Sequence, residues 1–157
     1  MGDDIIGAPA PRPCATCPYR VDVPSGVWAA DQYEKLRRYD TDTAMQPHAL
    51  FLCHQTDADS SHRRLCAGWV GCHGDQLLAL RLAGLDGRLT PATIQAAVDY
   101  VSPVPLFETG AAAARHGQAE IDHPSRSATA AIRKISRRRT DLQFESALSP
   151  RRNVHVD

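Results

Sequence analysis

Cys14-Ala15-Thr16-Cys17-Pro18-Tyr19-Arg20 is answered downstream by Phe51-Leu52-Cys53-His54 and by the run from Cys66-Ala67-Gly68-Trp69 to Cys72-His73-Gly74. A Cys-x-x-Cys turn sets two sulfurs within reach of one ion, and single cysteines from two distant segments can complete a four-thiolate shell. Two residues lie between Cys14 and Cys17, 35 between Cys17 and Cys53, and 12 between Cys53 and Cys66. These four cysteines are read as metal ligands. Cys72, His54 and His73 stay open as replacements, because three cysteines and one histidine suit zinc as well as four cysteines do.

Zinc is preferred over an iron–sulfur cluster because His54 and His73 stand directly beside cysteines and could serve in a mixed shell; the cluster remains the alternative, since it too takes four thiolates. Nothing N-terminal to Cys14 reads as a strand, which argues against a thioredoxin-like dithiol. A closed four-ligand shell has no open position for a substrate. A binding or regulatory module is therefore expected ahead of an enzyme, with an iron–sulfur redox sensor or a metal-dependent enzyme as the competing reading.

Aromatic residues make up only 6% of the 157 residues and alanine much of the apolar remainder, so the expected core is thin. A structural metal, contributing about 10–16 kcal/mol in small zinc peptides, would rival the whole stability of such a domain. No apolar run reaches the length of a signal peptide or a membrane helix. A cytoplasmic protein with no membrane partner is expected, and in that reducing compartment clustered cysteines are ligands more often than disulfides.

Residues 1–12, rich in glycine and proline, read as a flexible lead-in, residues 13–117 as the cysteine-rich domain, and residues 118–157 as a basic, largely disordered tail. Asp31 with Glu34 suggests a capping box opening a helix over about 31–39. The run Ala49 to Cys53 is short enough for a buried strand, and Val104 to Phe107 for a second extended piece. Asp75 suits a cap for a leucine-rich helix over about 76–84. Thr90 and Pro91 open a helix over 91–101, whose Ile94, Ala97, Val98 and Val101 fall on one face. Ala111 to Ala114 add one helical turn. The fold class expected is α+β: a small, mostly helical, metal-stapled single domain with a short strand or two.

The basic residues of the tail concentrate in Arg133, Lys134, Arg137, Arg138 and Arg139, with no acidic residue between Asp122 and Asp141. Such a run suits phosphate neutralisation, so nucleic acid is the first candidate partner through the tail and a protein the second. The motifs Cys-x-x-Cys-Pro-Tyr-Arg, Phe-x-Cys-His, Cys-Ala-Gly-Trp and Cys-His-Gly together resemble an uncharacterised domain-of-unknown-function family of actinobacteria and their phages, over about residues 12–110. The resemblance supports the grouping of the cysteines and implies no activity.

Overall fold

In the computed structural model the described residues are 5–53 and 62–139. They form six α-helices: α1 (Ala30–Arg37), α2 (Ala67–His73), α3 (Leu78–Leu85), α4 (Pro91–Val98), α5 (Gly110–Gln118) and α6 (Arg126–Arg138). Short 3-10 turns lie at Thr43–Met45 and Gly74–Gln76. The expected α+β class is corrected to a small helical domain. Among the described residues extended pairing is limited to the isolated bridges Gly7 with Arg64, Arg20 with Leu106 and Leu52 with Leu65, and no sheet forms. Within the Ala49–Cys53 run, expected as a buried strand, only Leu52 pairs, and its partner around Leu65 is equally short, so one bridge cannot grow into a ladder.

The metal-stapled part of that expectation is corrected too. Among the described residues no group of three or more His, Cys, Asp or Glu side chains stands as a ready-made metal shell. The core closes instead by aromatic and aliphatic packing, and it is thicker than the composition suggested. Helix α2 buries Ala67, Gly68, Trp69 and Val70, the sign of a helix apolar all round and placed centrally. Around Trp69, the ring of Tyr39 lies edge-on at 5.4 Å and that of Phe51 stacks at 6.4 Å, while Tyr19 meets Phe51 edge-on at 5.9 Å. Aromatic side chains bury large areas, so a few of them in contact supply a core that alanines could not.

Helices α1 and α5 form the closest pair. Gly110, Ala113, Ala114 and Gly117 recur at i, i+3, i+4 and i+7 and are the buried face of α5. They face Tyr33 and Leu36, the buried residues of α1: a side chain at Gly117 would overlap the Tyr33 ring, and one at Gly110 the Leu36 carbonyl. Small residues here are what allow the two backbones to approach.

The helix ends show where local reading held and where it did not. Thr90 caps α4, accepting from the Thr93 amide at 3.2 Å, with Pro91 at the first helical position. Helix α1, by contrast, starts at Ala30 without a side-chain cap. Asp31 lies inside its first turn, and the approach is fixed by the Tyr33 hydroxyl, which accepts from the amides of Val27 and Trp28 at 3.1 Å each. Asp75 does not cap α3 either. The Leu78 amide donates to the Gln46 side-chain oxygen at 3.1 Å, a cap supplied from 32 residues upstream. Asp40 likewise caps α5 from afar, accepting from Gly110 and Ala111 at 2.7 and 2.8 Å.

Helix α6 lies inside the span 118–157 assigned above to the tail. Ser125 caps it, and Ala128 and Ile135 are buried in the same core as the rest. Residues 140–157 lie outside the described residues. No helix among the described residues is long and apolar enough to cross a membrane.

Gly117→Ala is expected to destabilise the domain by about 1–3 kcal/mol, the usual cost of overpacking. A urea melt followed by circular dichroism reads it. An unchanged midpoint would contradict the α1–α5 contact.

Candidate metal centre

Pro13 to Arg20 fold into a tight double turn. The Cys17 amide donates to the Cys14 carbonyl at 3.0 Å and the Arg20 amide to the Cys17 carbonyl at 3.1 Å. The amides of Thr16 and Tyr19 are thereby aimed at the sulfurs of Cys14 and Cys17, to which they donate. Side chains secure the outer carbonyls. The Trp28 indole donates to the Thr16 carbonyl at 2.8 Å, and the Arg20 guanidinium donates to the carbonyls of Pro13 and Cys14 at 3.1 and 3.5 Å. Arg20 is held in turn by a two-pronged ion pair with Asp22, at 2.8 and 2.7 Å. Such bidentate pairs fix orientation as well as charge.

The other two cysteines come from the Leu52–Leu65 bridge. The Cys53 amide donates to the Arg64 carbonyl and the Cys66 amide to the Phe51 carbonyl, both at 2.9 Å, so Cys53 lies opposite Arg64 at one end of the antiparallel bridge and Cys66 opposite Phe51 at the other. Cys66 then occupies the position just before α2. Cys14 lies near enough to Cys17 and Cys53, and Cys17 to Cys66, for each pair to affect the other's titration, but the four do not converge as a ready-made shell. Gly68 makes the approach possible, since a Cβ there would overlap the Cys17 sulfur and lie 2.8 Å from Tyr19 Cβ.

The environment favours neutral sulfur in the absence of a cation. The hydrogen bond with Cys17 pushes the Cys14 thiol up to about 11, against the opposing effect of Cys53. For Cys17 the hydrogen bond with Cys14 acts downward, but that with Cys66 and burial outweigh it and hold the thiol well above its ordinary value. Soft sulfur donors of this kind suit zinc or iron and not the hard cations.

The candidate replacements are placed elsewhere. Cys72 hydrogen-bonds to none of the four thiols; burial, with Asp40 nearby, pushes it up to about 12. His73 Nε2 lies 3.0 Å from the Tyr19 hydroxyl, and its Nδ1 is 3.8 Å from Asp40. It therefore ties the cysteine loop to the cap of α5. His54 lies outside the described residues. The Trp69 indole nitrogen is buried without a hydrogen-bond partner among the described residues, a donor at which one further acceptor would be favourable.

Of the five basic residues singled out in the tail, Arg133, Lys134, Arg137 and Arg138 are exposed on α6, whereas Arg139 is buried. The supporting roles of Arg20, Asp22, Trp28 and Tyr19 went unread. The one available signal was the Pro-Tyr-Arg following Cys17.

Burial depresses His73 from 6.5 to about 4, against the opposing pull of Asp40. A depressed histidine favours the neutral form in the fold. Its contribution is complete above the unfolded value and is lost as pH falls from about 6.5 towards 4, up to about 3 kcal/mol. Thermal melts should show that loss, and His73→Gln should flatten it. An equally steep acid limb in His73→Gln would assign it to other groups.

Neither the curated proteins nor the solved structures contain a match to this sequence. A family model matches residues 9–139, a span that includes all four candidate cysteines and α6. The chain belongs to that family, described as a family of unknown function (DUF6283).

Proposed function

We propose that this is a metal-binding module in which Cys14, Cys17, Cys53 and Cys66 hold one zinc ion, and in which α6 offers its basic face to nucleic acid. The observation that carries the first part is a set of four thiols, two buried and two half-buried, drawn from three segments and pairwise near enough to affect one another's titration. Sulfurs around a tetrahedral zinc with bonds of about 2.3 Å stand about 3.8 Å apart, which is the range of a sulfur hydrogen bond. A four-iron cluster would need them spread more widely. His73, one of the two histidines that had favoured a mixed shell, is engaged by Tyr19 and lies near Asp40, which supports a thiol donor set.

Closing these thiols into a shell takes deprotonation and a rearrangement. The ion supplies the positive charge that lets buried sulfurs ionise, with release of protons to solvent. The chain itself supplies the rest. Backbone amides of Thr16 and Tyr19 donate to the sulfurs, and the Arg20 guanidinium adds a fixed positive charge beside Cys14 and Cys17. Such partners orient ligands and tune them.

Zinc analysis of protein purified without oxygen tests the assignment. About one zinc per chain is expected, lost in Cys17→Ser and Cys53→Ser but kept in Cys72→Ser. Traces only of both zinc and iron, or loss of metal in Cys72→Ser equal to the others, would contradict it. Iron with inorganic sulfide and broad visible absorption would replace the ion by a cluster.

The nucleic-acid part rests on four exposed cations of α6 and the absence of acidic residues from that helix. Four phosphate contacts on duplex DNA give a slope of log affinity against log salt of about −3.6. Replacing Arg133, Lys134, Arg137 and Arg138 by glutamine should remove that slope. An unchanged slope would exclude α6 as the contact.

A further inference from the structure

We infer that the outer edge of the extended segment Leu50–Leu52 is a docking surface for an extended acidic peptide, which would add to it as a strand. The segment is paired on one side only. Phe51 and Cys53 make its two backbone hydrogen bonds to Cys66 and Arg64, so the amides and carbonyls of Leu50 and Leu52 point the other way. Those four groups have no hydrogen-bond partner among the described residues. Alternating unpaired amides and carbonyls along an extended backbone are a template for another backbone.

Beside the segment runs a groove of about 330 Å³, lined by Ala49 to Leu52, Tyr39, Pro47 and the end of α1. It contains no residue from the Gly7 or Arg64 segments and so lies away from the existing bridge. Its floor is apolar. Its charged residues are Lys35 and Arg38, both exposed, and no carboxylate lines it. Among the described residues the Lys35 side chain makes one long hydrogen bond to Gln32, at 3.4 Å, and the Arg38 guanidinium has no hydrogen bond or ion pair.

This combination selects the occupant. A second copy of the chain pairing edge to edge would bring two sets of Lys35 and Arg38 together, at a cost in like-charge repulsion. A nucleic acid would satisfy the cations but offers no alternating amide and carbonyl to Leu50 and Leu52. An extended peptide with acidic side chains at alternate positions satisfies both. The surface is separate from α6 and uses none of the four thiols.

The test uses the full chain and a fluorescent peptide of alternating valine and glutamate. Saturable binding is expected, weakened by about tenfold or more in Lys35→Glu/Arg38→Glu. These side chains are exposed, and circular dichroism checks that the variant folds. Methylating alternate backbone nitrogens of the peptide should abolish binding, replacing its glutamates by lysine should do the same, and a single-stranded oligonucleotide should not displace it. Absence of saturable binding, equal binding of the methylated peptide, or displacement by the oligonucleotide would each overturn the inference.

Discussion

The contact of Gly68 with the Cys17 sulfur and Tyr19 is the constraint from which the rest of this structure follows. Because position 68 has no side chain, the Cys14–Arg20 loop lies directly on α2. That brings the Cys17 thiol to Cys66 at the start of the same helix, and the Tyr19 ring into the aromatic group around Trp69. From Tyr19 the connection runs through His73 to Asp40, which caps α5, which in turn packs on α1. A single methyl at position 68 would push against sulfur and ring together. Overpacked cores relax poorly, and here the neighbours are a turn fixed by Trp28 and Arg20 on its far side.

The thiols and the aromatics divide the interior between them. Tyr19, Tyr39, Phe51 and Trp69 bury the apolar area and hold the helices together. Of the four thiols proposed as ligands, Cys14 and Cys17 come from the loop, Cys53 from the Leu52–Leu65 bridge and Cys66 from the position just before α2. Reading the cysteines as the staple of a thin core undervalued these four aromatics, which are in mutual contact. The domain thus packs without needing the thiols as its staple.

How much of this could be read from the residues differs from element to element. Helix α4 was plain, because Thr90, Pro91 and the spacing of Ile94 and Ala97 are local signals; its end was overrun, and Val101 lies beyond it, exposed. Helix α5 was underestimated because its buried stripe is glycine and alanine, invisible to a search for large apolar residues. Helix α5 has a local cap in Thr109, but the cap of α3 from Gln46 and the second cap of α5 from Asp40 come from far off in sequence, and no local rule finds those. A strand was expected at Ala49–Cys53 from its apolar run, yet a strand needs a partner of matching length. As for the site, the spacing suggested which four cysteines to group, while the placement of Cys72 and the engagement of His73 depended on which faces of α2 the packing turned inward.

X-ray absorption at the zinc edge, on protein purified without oxygen, tests the central proposal most directly. Four sulfur neighbours at about 2.3 Å, with no nitrogen or oxygen in the first shell, is the result that four cysteines sharing one ion require. A shell containing nitrogen from histidine, or one that keeps four sulfurs after Cys53→Ser, would contradict it.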